Sequence, residues 1–295
     1  MTARITARQL MGSVLAVALS AAIAVAAPAT RSDMLVSTSW LSSHLNDANV
    51  VVLQVSADRK VYDAGHIPGA RFVALPDIAV TRGEIHNELP DIAVLKKIFE
   101  GVGVSDNSHV ILYGDTSVLP ATRAYFTLDY MGHGDRTALL DGGLDKWTKE
   151  GRMLTKDAPA VTAGNLTPHP KPEIVMQFDD AKAASSGHPP APMLVDARPA
   201  GDYSGEKGGH IPTAVNLNWQ TTQVSKDDQT LKSESALRTM YEAIGVKGDR
   251  PVATYCNSGM QASQSYFTLK YLGYNVQMYD GSMSEWKAKD APVEK

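Results

Sequence analysis

The chain has 295 residues, of which 43% are hydrophobic and 20% charged, with a formal net charge of −4. That length suits about two domains of ordinary size, and the composition excludes a disordered, collagen-like or disulfide-stapled chain. The slight acidity provides no overall field for a nucleic-acid backbone or an anionic membrane, so an anionic ligand must be gripped locally.

Arg4 and Arg8 precede an apolar stretch from Leu10 to Ala26 that closes on Ala24-Val25-Ala26. A basic head, an apolar middle and small residues at the cleavage positions predict a signal peptide over residues 1–26. The run is too short and too rich in Ala for a spanning anchor. The mature chain is therefore expected to be exported, to a bacterial periplasm, with no membrane association after cleavage. Further on, "IAVLKKIFE" from Ile92 to Glu100 reads as a helix and "HVILY" from His109 to Tyr113 as a strand. Gly101 and Gly103 lie between them, so the order is helix, glycines, strand; a dinucleotide loop needs strand, glycines, helix, and a helix-ending turn is the better reading. Gly245 holds the equivalent place later in the chain.

The chain repeats itself. "YFTLDYMG" beginning at Tyr125 returns as "YFTLKYLG" at Tyr266, an offset of 141 residues. "GHIPGA" at Gly65 returns as "GHIPTA" at Gly209, "DGGLDKW" at Asp141 as "DGSMSEW" at Asp280, and "ADR" at Ala57 matches "DAR" at Asp196. Matched blocks in one order mean two copies of one domain. Between them, Pro159, Pro168, Pro170 and Pro172 disfavour helix and central strand, which places copy one at 27–155, a linker at 156–172 and copy two at 173–295. In copy two, apolar runs at Met193–Asp196 and Val252–Tyr255 and a helical pattern from Ala262 to Leu272 alternate strand with helix. The expected fold class is α/β, each copy a mainly parallel sheet with helices on both faces. Trp147 and Trp286 are expected core anchors.

The sole cysteine, Cys256, cannot form a disulfide within the chain, and it follows directly on the Val252–Tyr255 strand. Ligand sites in such sheets lie beyond the carboxyl ends of strands. A tight loop of Asn257, Ser258, Gly259, Met260 and Gln261 before a helix can turn several amides toward the sulfur, which would lower the thiol pKa and make a nucleophile. Gly259 suits unusual backbone angles, and Ser258 offers a further hydrogen bond. No Cys-x-x-Cys pair or His-Glu-x-x-His helix is present, so neither a metal nor a cofactor is expected.

With the paired "GHIP" blocks, "DGG" and "DGS" ending in Trp147 and Trp286, "LVDAR" at Leu194–Arg198 and "CNSGMQAS" at Cys256–Ser263, the chain resembles the two-domain rhodanese family of sulfurtransferases. The resemblance implies tandem rhodanese-like domains, with catalysis in the second. The repeat offset puts Asp115 at the cysteine position of copy one, and a carboxylate cannot carry a persulfide. The resemblance further implies that Cys256 takes sulfur from a small anionic donor and passes it to a thiophilic acceptor, cyanide or a thiol, with Arg198 and the loop residues binding the donor. The identity of any protein acceptor stays open. Arg198 has a competing reading as a structural ion pair, because Arg59 recurs in copy one.

The loop is neutral, as in mercaptopyruvate-type relatives, but Asn257 replaces their glycine and Met260-Gln261 their Val-Thr, while Asp202 and Tyr203 stand where a second carboxylate-binding arginine is expected. Thiosulfate is the preferred donor and 3-mercaptopyruvate the alternative. His66 and His210 recur in both copies and read as shaped turns bonded to backbone, with His66 a possible proton relay to Ser258 by the resemblance. Two rivals remain. A phosphatase of related fold would need Arg six positions after the cysteine, where Ala262 stands, and a persulfide carrier without turnover would share the same loop.

Overall fold

The computed structural model describes residues 27–205 and 208–295. The signal peptide expected at 1–26 lies outside the described residues. Copy one contains strands β1 (Leu35–Val36), β2 (Val50–Ser56), β3 (Arg71–Ala74), β4 (Val80–Arg82), β5 (Ile85–Glu88), β6 (His109–Tyr113) and β7 (Thr137–Leu140). Copy two contains β8 (Val175–Met176), β9 (Met193–Asp196), β10 (Val215–Asn216), β11 (Val252–Tyr255) and β12 (Val276–Tyr279). Each copy builds a five-stranded sheet, ordered β1-β7-β6-β2-β3 in one and β8-β12-β11-β9-β10 in the other. Every neighbouring pair within these two sheets is parallel. The internal repeat of the sequence is thus a repeat of topology. Copy one adds the antiparallel β4–β5 hairpin.

Alternation of side chains along the strands divides the interior into layers. Val52, Ile111, Tyr113 and Leu140 face one side of the first sheet and bury Leu41 and Trp147. Leu194, Ala253, Tyr255 and Tyr279 do the same in copy two for Ala181 and Trp286. The two tryptophans sit at matching anchors, with indole N–H groups donating to the carbonyls of Met153 and Pro292 at 3.0 and 2.8 Å. The opposite faces of both sheets meet in one continuous core that includes Leu53, Leu112, Tyr125, Val195, Val252 and Phe267.

Two helices make that junction: Leu119–Tyr130 and Met260–Tyr271, which carry the repeated "YFTL" segments. Both are buried nearly all round, because one side of each packs on its own sheet and the other on the opposite copy. The contact has a local two-fold relation. Tyr125 meets Phe267 edge-on at 4.9 Å and Phe126 meets Tyr266 at 5.1 Å. Thr122 and Ser263, one offset apart, hydrogen-bond to each other at 2.8 Å. The proline-bearing linker forms no helix or strand across 156–171; it lies along copy one through bonds such as Gly164 N–H to the Glu100 carbonyl at 2.8 Å.

Candidate active site

Cys256 lies where the sequence puts it, one residue past β11, in the turn that opens the Met260–Tyr271 helix. The turn is tight because Gly259 has φ +80° and passes against copy one: a Cβ there would stand 2.5 Å from Asp280 Oδ1 and 3.0 Å from Arg123 Nη1. Any other residue would collide with that ion pair. The main-chain amides of Ala262, Ser258 and Gln261 act on Cys256 Sγ, each drawing the thiol pKa down. Such a nest favours an anion on sulfur. The sulfur is nevertheless sealed, with the residue 1% exposed. Burial pushes the thiol pKa up, and the three amides pull against it without overcoming it. This corrects the expected depressed pKa, since desolvation of the thiolate outweighs the main-chain dipoles.

The floor of the loop comes from the final helix, Ser282–Ala288. Ser282 Oγ accepts from the amides of Cys256 at 3.1 Å and Gly259 at 3.2 Å, and donates to the Tyr279 carbonyl at 2.9 Å. Met283 and Ser284 amides hold the carbonyls of Cys256 and Asn257 at 3.0 and 2.9 Å. Beneath lies the buried pair of Arg123, from copy one, with Asp280: Nη1 bonds Oδ1 closely and Nη2 bonds Oδ2 at 3.0 Å. From the other side, Asn87 of copy one reaches Ser258. Sequence reasoning missed Asn87, Arg123, Asp280, Ser282 and Ser284. Only Ser282 carried a visible signal, as the Ser that replaces Gly143 of the "DGG" block.

Arg198 is 1% exposed. Its Nε bonds both Asp196 carboxylate oxygens at 2.9 and 3.0 Å, and its Nη2 donates to the Gly209 carbonyl at 2.9 Å. Nη1 lies 3.5 Å from Asn257 Oδ1. The guanidinium expected to bind donor is therefore engaged as a structural pair that steadies the loop, because Asp196 at the end of β9 already satisfies its fork. Asn257 is exposed, and Met260 and Gln261 are half-buried. Of these three, Gln261 acts on the sulfur through its main-chain amide.

His66 is displaced from the relay role. It is fully buried, stacks on Tyr62 at 3.8 Å, and has Nδ1 2.9 Å from the Tyr62 carbonyl and Nε2 3.3 Å from that of Asp157. His210 repeats the arrangement on Tyr203, with the ring 3.8 Å away and Nδ1 2.8 Å from the Tyr203 carbonyl. The repeated Gly-His-Ile-Pro is a shaped turn, and its histidine serves that turn in both copies.

In copy one, Gly114 directly follows β6, and Asp115, which the repeat offset matches to Cys256, comes one residue later in a loop that is one residue longer. The Asp115 carboxylate accepts from Ser56 Oγ at 2.6 Å and from the Thr116 amide at 2.5 Å. The cavity there is about 20 Å³, room for little more than a water. Among the described residues, no group of three or more His, Cys, Asp or Glu side chains could hold a metal.

Two α/β copies related by a two-fold contact, one of them with a cysteine cradled by main-chain amides, define a tandem-domain protein with a single sulfur-bearing loop. The chain belongs to the rhodanese family: the model of the rhodanese-like domain matches residues 37–150 and 178–289. It is 35% identical over 274 residues to the sulfur carrier protein TtuD of Thermus thermophilus, covering 86% of this chain and 93% of that one. It is 34% identical over 290 residues to a Haloferax volcanii protein named "Putative thiosulfate sulfurtransferase", covering 89% and 96%. A protein of the same name from Saccharopolyspora erythraea is 32% identical over 272 residues, covering 87% and 94%. Among solved structures, the fold matches wild-type EanB with a TM-score of 0.79 at 23% identity, over 89% of this chain and 69% of that one.

Proposed function

We propose that the protein transfers the outer sulfur of thiosulfate to a thiophilic acceptor through a persulfide on Cys256. The observation that carries the reading is the convergence of the Ser258, Gln261 and Ala262 amides on one sulfur. Those dipoles are fixed before reaction, so they stabilise negative charge on sulfur without reorganising. In the first half-reaction the Cys256 thiolate attacks the outer sulfur of thiosulfate; the S–S bond to the sulfonate breaks and sulfite leaves with the bonding pair. In the second, cyanide or a thiolate attacks the outer persulfide sulfur and the Cys256 thiolate leaves.

The preference for thiosulfate is supported by a neighbour of Ser258. That neighbour is the amide of Asn87, which holds no transferable proton near neutrality. Sulfite departs as a stable anion. Pyruvate would depart from 3-mercaptopyruvate as an enolate that must be protonated. The site therefore favours thiosulfate. A second reading, persulfide storage for a dedicated partner, is favoured by the 35% identity to a sulfur carrier protein.

The test is to incubate mature protein with thiosulfate or with 3-mercaptopyruvate and weigh it intact. One sulfur gained from thiosulfate, absent in Cys256→Ala, with thiocyanate formed on adding cyanide, is the expected result. Loading without turnover would favour the carrier, and loading from 3-mercaptopyruvate alone would reverse the donor assignment. We also propose export directed by residues 1–26, which N-terminal sequencing of periplasmic material would check through cleavage after Ala26. No helix among the described residues is long and apolar enough to cross a membrane.

A further inference from the structure

Asn87 stands at the end of the β4–β5 hairpin with φ +62°, a left-handed conformation that Asn tolerates better than most residues with a side chain. From there its Nδ2 donates to the Ser258 carbonyl at 3.1 Å and to Ser258 Oγ at 3.0 Å. An amide nitrogen has two hydrogens, so both bonds can form at once. Copy two returns the contact. Gln229 stands two residues before Leu231 as Asn87 stands two before Leu89. Its Oε1 accepts from the Val118 amide at 2.7 Å and its Nε2 donates to the Thr116 carbonyl at 2.8 Å. Thr116 and Val118 belong to the loop between β6 and the Leu119–Tyr130 helix, which carries Asp115. Each copy thus closes the other's loop with an amide side chain from the same position of the repeat.

At the cysteine loop the contact does more than dock two domains. The Ser258–Gly259 peptide is held at both ends, its carbonyl by Asn87 of copy one and its N–H by Ser282 of copy two at 3.2 Å. Rotation of that peptide breaks both bonds and redirects the chain that delivers the Gln261 and Ala262 amides to sulfur. Asn87 also occupies a lone pair of Ser258 Oγ, so the hydroxyl hydrogen is left to donate elsewhere.

We propose that Asn87, contributed by the copy whose own loop carries Asp115, is a positioning residue for sulfur transfer: it locks the Ser258–Gly259 peptide and presents the Ser258 hydroxyl as a donor to the anion forming beyond Cys256 Sγ. Gln229 is its structural counterpart at the silent loop, where no sulfur is handled. The inference rests on the reading of Cys256 as the sulfur-bearing nucleophile.

The test compares Asn87→Gly, Asn87→Asp and Gln229→Gly in the mature protein. Gly keeps the left-handed backbone and removes the amide; Asp keeps the shape and replaces the donor with an oxygen facing the Ser258 carbonyl. Single-turnover sulfur loading from thiosulfate, read by intact mass, and thiocyanate formation should both slow about tenfold or more in the two Asn87 variants, roughly one lost neutral hydrogen bond or more. The loss should fall on kcat, with the thiosulfate KM changing less than about threefold. Gln229→Gly loses as many hydrogen bonds and should lower Tm as much as Asn87→Gly, yet keep kcat within about twofold. A Cys256-dependent reaction that ignores Asn87, or equal kcat losses at both positions, overturns the positioning role alone. Sulfur loading that persists in Cys256→Ala overturns the nucleophile and the positioning role together.

Discussion

Ser282 has φ +50°, and Gly143, its counterpart in copy one, has φ +57°. A side-chain-bearing residue in that region costs about 1–2 kcal/mol, which the glycine avoids. Copy two bears the strain because Ser282 Oγ accepts from both the Cys256 and Gly259 amides. Ser282→Gly should therefore leave stability within about 1 kcal/mol of wild type, relief of strain offsetting lost hydrogen bonds. Sulfur loading should slow about tenfold as the loop loses its floor. Urea unfolding and single-turnover loading, run on the same preparation, check both halves. At Cys256 the pKa is raised, burial outweighing the amides, and only the thiolate attacks. The rate of sulfur loading by thiosulfate should thus still be rising through the ordinary thiol range and level off only above it; a pH–rate profile that is flat from neutrality upward would contradict this.

The paired helices set the next scale, because their faces carry charge as well as aromatic rings. Arg123 is fully buried, and Asp280 is its partner across the interface. Removing one member of a buried pair strands the other charge, so Arg123→Ala should cost about 3–5 kcal/mol in chemical denaturation. Asp129, on the same helix, is fully buried and accepts from Tyr266 Oη at 2.7 Å, with Lys171 and Lys270 each 3.0 Å from its carboxylate. Burial alone would raise its pKa, but Lys270, the Tyr266 hydroxyl and Lys171 together hold it below the usual carboxylate range. A depressed folded-state pKa contributes stability that is complete above the unfolded value of about 4 and is lost as pH falls through the folded value. Asp129→Asn should be less stable than wild type at neutral pH. The gap should narrow below about pH 4, as thermal melts across an acid series would show.

For the whole molecule, the shared core makes the two copies one folding unit. Tyr266 and Phe267 are fully buried and pack edge-on against Phe126 and Tyr125 of copy one. Residues 173–295 expressed alone would expose that aromatic face, together with the unpaired Asp280 carboxylate and a loop lacking Asn87. The fragment should aggregate or bind a hydrophobic dye, and should not load sulfur; a soluble, monomeric fragment that loads at the wild-type rate would refute the shared-core argument. Copy one has no cysteine, yet it supplies Arg123 below the cysteine loop and Asn87 beside it.

The tandem repeat, the α/β class, the tryptophan anchors and the placement of Cys256 after a strand are all legible in the order of residues. These are matters of periodicity, self-similarity and local turn chemistry, which short stretches of chain encode. The same order exposes the histidines as turn residues through their recurrence in both copies. Packing sets the rest: Arg198 is taken up by Asp196, burial outweighs the amides at the thiol, and Asn87 and Ser282 hold the loop from opposite sides. Those outcomes depend on which groups meet across 171 residues in the case of Asn87 and Ser258. Desolvation and partner choice are properties of the packed environment, and no local pattern of residues contains them.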